Sequence, residues 1–247
     1  MQVHLLTDSF FDISRGTFVP GERGNYTAAS KSLLLITEKE RILIDTGFGN
    51  YPKIPRYREV ARATNIHRIA GQGIKCQLKK HNLTPEDITT VINTHLHTAH
   101  SGNNRLFRNA KFYVRGEEFR YVDSSIEENP DQTAYVPENF GESDYVKIKQ
   151  SFKIAEGVTV VPTPGHTPGH QSVIIKRDGE TLIYSGDVSP LRQNLEKHVV
   201  MQSYDPSQTL KSMESLLKVK NAKWIFSHDR RQLSLRSAYQ INKLGKR

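Results

Sequence analysis

Apolar positions along the chain gather in short, β-branched runs broken by turn residues, and few stretches carry the three-to-four spacing of a helix. Val3-His4-Leu5-Leu6 predicts a first strand. Residues 16–29, marked by glycine and proline, predict a loop, and residues 31–45 a hairpin whose strands, 32–36 and 41–44, meet across Glu38-Lys39-Glu40. Between Tyr51 and His81 the pattern turns helical, with Ile66, Ile69, Ile74 and Leu78 sharing one apolar face. Thr84 then caps a one-turn helix that has Pro85 at its first position and feeds a buried strand over residues 88–93. Further strands are expected at 111–114, 146–154, 158–161, 172–176, 181–184 and 223–226, with a helical turn from Gly116 to Tyr121. The clearest helix starts at Asp205-Pro206 and buries Leu210, Met213, Leu216 and Leu217. From Asp123 to Asp144 the period is lost in a stretch that carries Glu127, Glu128, Asp131, Glu138 and Glu142. It predicts a long loop, of the kind that often covers a site.

Nothing resembling a linker divides the 247 residues, so one domain spanning 1–247 is expected. An apolar content of 36% and a mean hydropathy of −0.58 describe a soluble globular chain. No apolar run approaches the roughly 18 residues of a membrane span, and the start Met1-Gln2-Val3-His4 is too polar for a signal peptide, which points to the cytoplasm. The single cysteine, Cys76, fits a reducing interior and reads as a packed or half-exposed thiol on a helix rather than a nucleophile. The net charge of +9 would suit a nucleic-acid partner. Yet the basic residues are dispersed apart from Arg230-Arg231 and the tail 243–247, and no aromatics interleave with them, so a solvated basic surface is expected instead.

Candidate chemistry concentrates where strands end. The strand at 88–93 runs into Thr94-His95-Leu96-His97-Thr98-Ala99-His100-Ser101-Gly102. In extended geometry His95 and His97 point the same way, and two neutral imidazoles on one face suit Zn, Fe or Ni better than Mg or Ca. Pro162-Thr163-Pro164-Gly165-His166-Thr167-Pro168-Gly169-His170 surrounds two more histidines with residues that fix the backbone before a ligand binds. Asp45-Thr46-Gly47 and Ser185-Gly186-Asp187 each place a carboxylate at a strand end, and Lys223-Trp224-Ile225-Phe226 leads to Ser227-His228-Asp229. Asp45 is placed to support a neighbouring ligand, whereas Asp187 on its own reads equally as a turn residue or a cap. His4, His67, His81 and His198 lie outside any motif.

The histidine run resembles the His-x-His-x-Asp-His motif of the metallo-β-lactamase-fold hydrolases, and the Gly-His-Thr-Pro-Gly-His segment resembles theirs as well. The likeness extends from the hairpin before Asp45 to Asp229 and implies an α/β (α+β) fold, a four-layer αββα sandwich with its site where strand ends meet. It implies one metal position held by His95, His97 and His166 and a second by His100 and His228. Asp187 would bridge them, Asp187 and His228 would serve catalysis, and His170 would be structural. Zinc is the implied cofactor, with Fe, Co or Ni as alternatives. One position departs from the motif: Ala99 stands where the family has a metal-binding aspartate, so the second position is expected weak or empty.

Within the family the likeness is to the N-acyl homoserine lactonases, through residues 165–172, Tyr204-Asp205-Pro206 and Phe226-Ser227-His228-Asp229. It implies opening of a small lactone or related ester by metal-bound hydroxide, with no membrane partner and a homodimer as one open oligomeric state. Pro190 stands near the place where the lactonases carry a tyrosine. Two other readings stay open: a catalytically silent metal-binding protein that keeps the pocket, and a nuclease of the same fold.

Overall fold

The computed structural model describes residues 1–51, 53–124, 134–140, 144–237 and 239–240. Glu127, Glu128, Asp131 and Glu142 of the acidic stretch and the basic tail 243–247 lie outside the described residues.

Two six-stranded sheets lie face to face. The first has the order β1 (Gln2–Ser14), β2 (Asn25–Ile36), β3 (Arg41–Ile44), β4 (Thr90–Ile92), β5 (Lys111–Arg115), β6 (Asp144–Ile148). The second runs, from its other edge inward, β7 (Phe152–Ala155), β8 (Val158–Pro162), β9 (Gln171–Arg177), β10 (Glu180–Tyr184), β11 (Ala222–Ile225), β12 (Tyr239–Gln240). Alternation along each strand makes the layers. Leu33, Leu35, Ile42 and Ile44 of the first sheet meet Val158, Val160, Val173, Ile175 and Leu182 of the second in one core.

The intervening residues Leu34, Leu43 and Val91 face outward, under the helix α3 (Ile74–Lys79), where Ile74 and Leu78 cover them. On the opposite side Ile183 and Trp224 lie under α7 (Pro206–Leu217) through Met213 and Leu216. Helix, sheet, sheet, helix is the αββα arrangement. It explains why the central strands are apolar at successive positions, since both of their faces are covered.

Several elements depart from the sequence reading. The first hairpin is far longer than expected: β1 runs on to Ser14 and β2 begins at Asn25, so residues 16–29 hold the one-turn α1 (Arg15–Phe18) and half a strand rather than a loop. Small and polar residues such as Ser9, Ala28, Ala29 and Ser30 are buried there, which removes the apolar signal while keeping the ladder. The expected helical face between Tyr51 and His81 does not form. Helix α2 (Pro55–Ala63) and α3 are separated by an irregular link that pairs His67 with Phe10, and Ile69 is 62% exposed. Residues 146–154 are two strands in different sheets, because the chain crosses from β6 to β7 at 149–151. By contrast Asp205 caps α7 by accepting from Gln208 N, and Thr84 and Asp87 close the turn at Pro85–Asp87, as predicted.

Candidate metal centre

Parallel pairing sets the site. β3 and β4 are parallel, as are β10 and β11, so Asp45 and the 93–97 segment leave one edge of the first sheet together, and Asp187 and His228 leave one edge of the second. A one-turn helix, α4 (Thr98–Ser101), then brings His100 back toward the sheets. The Pro-Gly loop after β8 supplies His166. Within it Gly165, at φ +132, presses so closely on α7 that a Cβ would stand 2.2 Å from Thr209 N.

His95 Nε2 lies 3.0 Å from His97 Nδ1, which lies 3.1 Å from His166 Nε2. His100 Nε2 and His228 Nε2 are 3.1 Å apart. Asp187 sits between the two groups: its Oδ2 is 3.9 Å from His95 Nε2 and 3.5 Å from His166 Nε2, and its Oδ1 is 3.4 Å from His100 Nε2 and 3.3 Å from His228 Nε2. All six side chains are buried. The sequence therefore names a set that the fold does bring together.

Outer partners fix the ring tautomers. His228 Nδ1 faces the Ala29 carbonyl at 2.9 Å, His166 Nδ1 the Gln202 carbonyl at 3.3 Å, and His100 Nδ1 the Asp45 carboxylate at 2.7 Å. Each of these acceptors requires an N–H, so in the neutral ring the proton sits on Nδ1 and a lone pair on Nε2. Where these rings are neutral their Nε2 lone pairs face Asp187, a crowding relieved by a cation in the middle, whether a metal ion or, without one, the second proton that His100 takes up. Donor separations of 3.0–3.9 Å around the first position bracket the roughly 3.3 Å edge of a tetrahedron with zinc-like bonds of about 2.0–2.1 Å. The donor set fits a borderline transition ion such as zinc.

Burial pushes His95 and His97 well below the ordinary imidazole value and takes His166 to about 4. Burial also opposes a cation on His100, but Asp187 and Asp45, one at each nitrogen, carry it up to about 10. Asp187 is buried too, which favours the neutral acid, yet His228 and His100 hold its carboxyl well below the usual range.

Supporting groups hold the histidines and Asp187. Asp45, in the left-handed region at φ +58, accepts from Thr94 N and Thr94 Oγ1 as well as from His100, the role its strand-end position suggested. His170 is structural, as expected: Nδ1 donates to the Thr163 carbonyl at 3.1 Å and Nε2 accepts from Asp187 N at 2.9 Å. Ser227 Oγ donates to Asp187 Oδ1 at 2.7 Å.

Sequence reasoning missed Glu118, in the first turn of α5 (Gly116–Ser124). Its Oε1 accepts from Leu96 N and Tyr135 OH, and its Oε2 from Thr167 Oγ1 and Gly169 N, so one carboxylate ties the loop of His95 and His97 to the loop of His166. A Cβ on Gly169 would stand 2.2 Å from Glu118 N, so this junction needs glycine. An acidic residue near a helix start reads from sequence as solvated, and no local pattern marked it.

Ala99 packs against an apolar cluster that contains Phe11, Phe18, Phe48, Val60 and Met201. With these residues and the histidines it lines a cavity of about 360 Å³. Its methyl offers no oxygen to an ion beside His100 and His228. Ala134, midway along the 123–144 stretch, borders the same cavity, and Tyr135 stacks edge-on against His97.

A face-to-face sandwich with a histidine and carboxylate cluster at its strand ends defines a class of metal-binding folds. Residues 27–228 match the metallo-beta-lactamase superfamily, and the chain belongs to that family. It is 30% identical to an N-acyl homoserine lactonase of Bacillus thuringiensis over 215 residues, 79% of each chain. It is also 35% identical to a probable metallo-hydrolase of Methanocaldococcus jannaschii over 144 residues, 58% of each chain. Its fold is similar to the crystal structure of a quorum-quenching N-acyl homoserine lactone lactonase, at 25% identity and a TM-score of 0.79 over 93% of this chain and 92% of that one.

Proposed function

We propose that this chain is a metal-dependent hydrolase of lactones or related esters, built around one tight zinc position and one weakened one. His95 Nε2, His97 Nδ1, His166 Nε2 and Asp187 Oδ2 would hold the first ion, and His100 Nε2, His228 Nε2 and Asp187 Oδ1 the second. The observation that carries the reading is the convergence of these lone pairs on Asp187. Such an ion, when bound, lowers the pKa of water toward about 7 and polarises a carbonyl oxygen.

The chain's own groups do the rest. The apolar cavity wall of Phe11, Phe18, Phe48, Val60 and Met201 suits an acyl chain and excludes water from it. Where the second position is empty, His228 Nε2, 3.3 Å from the Asp187 Oδ1 that orients it, keeps its lone pair free at the cavity to receive and return a proton. Glu118 and Asp45 hold the imidazoles in register. The relatives named as N-acyl homoserine lactonases support a lactone substrate.

Ala99 removes the carboxylate that would orient or deprotonate the attacking water, a loss on the order of 10²- to 10⁴-fold in rate. Lactone hydrolysis by the chain and by Ala99→Asp, together with zinc titration of both, tests the reading. One tight and one weak zinc equivalent in the native chain, with turnover rising in A99D, is the expected result. Two equally tight equivalents would count against the weakened position. Activity in neither protein would favour a silent metal-binding protein that keeps the pocket.

A further inference from the structure

Lys31 lies between Ser30 and Ser32 just before the apolar run of β2, and the residue is 1% exposed. A buried ammonium is costly unless its hydrogens find partners. Its Nζ donates to two backbone carbonyls, Asp229 at 2.8 Å and Gln232 at 2.9 Å. These are the two ends of the turn that follows His228, closed by Gln232 N donating to the Asp229 carbonyl.

Two residues earlier on β2, Ala29 exchanges hydrogen bonds with His228 itself. Ala29 N donates to the His228 carbonyl at 3.1 Å, and His228 Nδ1 donates to the Ala29 carbonyl at 2.9 Å. The strand thus grips this segment at two points. Other bonds of the turn run elsewhere, Arg192 N to Asp229 Oδ2 and Phe226 N to Gln232 Oε1, on the side of the second sheet.

We propose that Lys31 is a positioning residue for the second metal position. By stapling the 229–232 turn to β2 it fixes where His228 Nε2 stands relative to His100 Nε2 and Asp187. The inference rests on the metal-site reading above. Ala99 sharpens its consequence, because His100, His228 and Asp187 are the donors gathered there and displacing one leaves two. His95, His97 and His166 draw nothing from the turn, so the first position feels Lys31 only through the shared Asp187. Burial takes the Lys31 pKa down to about 7. The neutral amine still carries two N–H bonds, one for each carbonyl, and the staple therefore survives loss of charge.

Lys31→Met keeps the apolar stem and removes the donors. Zinc binding is followed by calorimetry in the native chain and K31M, and again with both in the Ala99→Asp background, where the second equivalent is strengthened. Leu78→Ala, in the core on the outer face of the first sheet, serves as a control that loosens the fold away from the turn. In K31M the first equivalent is expected within about threefold of the parent, and the second weakened at least about tenfold, the range seen when outer-shell partners of ligands are lost. L78A leaves the ratio of the two affinities unchanged. Should K31M not fold, Lys31→Gln, with a donor on a shorter arm, is expected to show a smaller split of the same sign. Equal weakening of both equivalents, or the same split in L78A, overturns the proposal alone. A native chain that binds no zinc overturns it together with the metal reading.

Discussion

Two imidazole loops from opposite sheets meet on one carboxylate. Because Glu118 accepts from Leu96 N, Gly169 N, Thr167 Oγ1 and Tyr135 OH, Glu118→Ala removes the acceptor shared by three buried donors and the Tyr135 hydroxyl between His97 and His166. The expected outcome is a roughly 10- to 100-fold loss of affinity for the first zinc equivalent, read by competition with a chromogenic chelator. Unchanged affinity would show that the loops hold themselves.

Lys31 gives a residue-scale prediction in pH. Its pKa is about 7 in the fold against an ordinary 10.5, so between those values the unfolded chain binds the proton and the folded chain does not. Stability from this group therefore rises with pH across that window, and below pH 7 both states are charged and the burial penalty is fully felt. Urea unfolding at pH 7 and at pH 10 should show the native chain gaining on K31M by on the order of a few kcal/mol. A constant gap would contradict the assignment.

The histidines and Asp187 that the fold gathers were legible at this scale because they are residue types that metal binding demands, set in short rigid runs at strand ends. Glu118 and Lys31 were not. Their partners are backbone groups and hydroxyls 17 to 201 positions away in the chain, and such contacts leave no local pattern.

At the scale of elements, capping and periodicity carried information where a helix lies on a sheet with one face in water. The stretch 205–217 combined an Asp cap, a proline at the first position and a buried face, and α7 has all three. Asp205→Ala is expected to cost about 1 kcal/mol and Met213→Ala about 2–5 kcal/mol, both measured by denaturant unfolding with zinc absent. Near-zero values for Met213→Ala would mean that the α7 layer is not packed as described.

The long hairpin of β1 and β2 was hidden because buried serine, alanine and lysine stand where apolar residues would have announced a strand. The same hidden half-strand holds Ala29, which bonds His228, and Lys31 follows it where the expected hairpin begins. The crossing from β6 to β7 was hidden for another reason: residues 146–154 are continuous in β propensity, and only tertiary pairing assigns their two ends to different sheets. In the 51–81 stretch a glycine-rich link divides the helical pattern, and the exposed Ile69 belongs to neither face.

For the whole molecule, the net charge of +9 is the feature that least resembles a small-molecule hydrolase. Arg15, Arg192, Arg230 and Arg231 border a separate cavity of about 470 Å³, but none of the histidines lines it, and Arg15 and Arg192 are paired with Glu22 and Glu196. Among the described residues no helix is long and apolar enough to cross a membrane. A nuclease would need nucleic-acid affinity that falls steeply with salt. Any retention of RNA or DNA by these arginines is instead expected to leave zinc binding and lactone turnover unchanged, as filter binding beside an activity assay would report.

The claim on which the rest depends is that side chains from remote strand ends enclose a transition metal. Crystals grown with zinc and measured at the zinc absorption edge address it directly. The strongest anomalous peak is expected among His95 Nε2, His97 Nδ1, His166 Nε2 and Asp187 Oδ2, with bonds of about 2.0–2.2 Å, and a weaker peak or none beside His100 and His228. Two peaks of equal height would contradict the role given to Ala99, and no peak among the first four atoms would contradict the whole account.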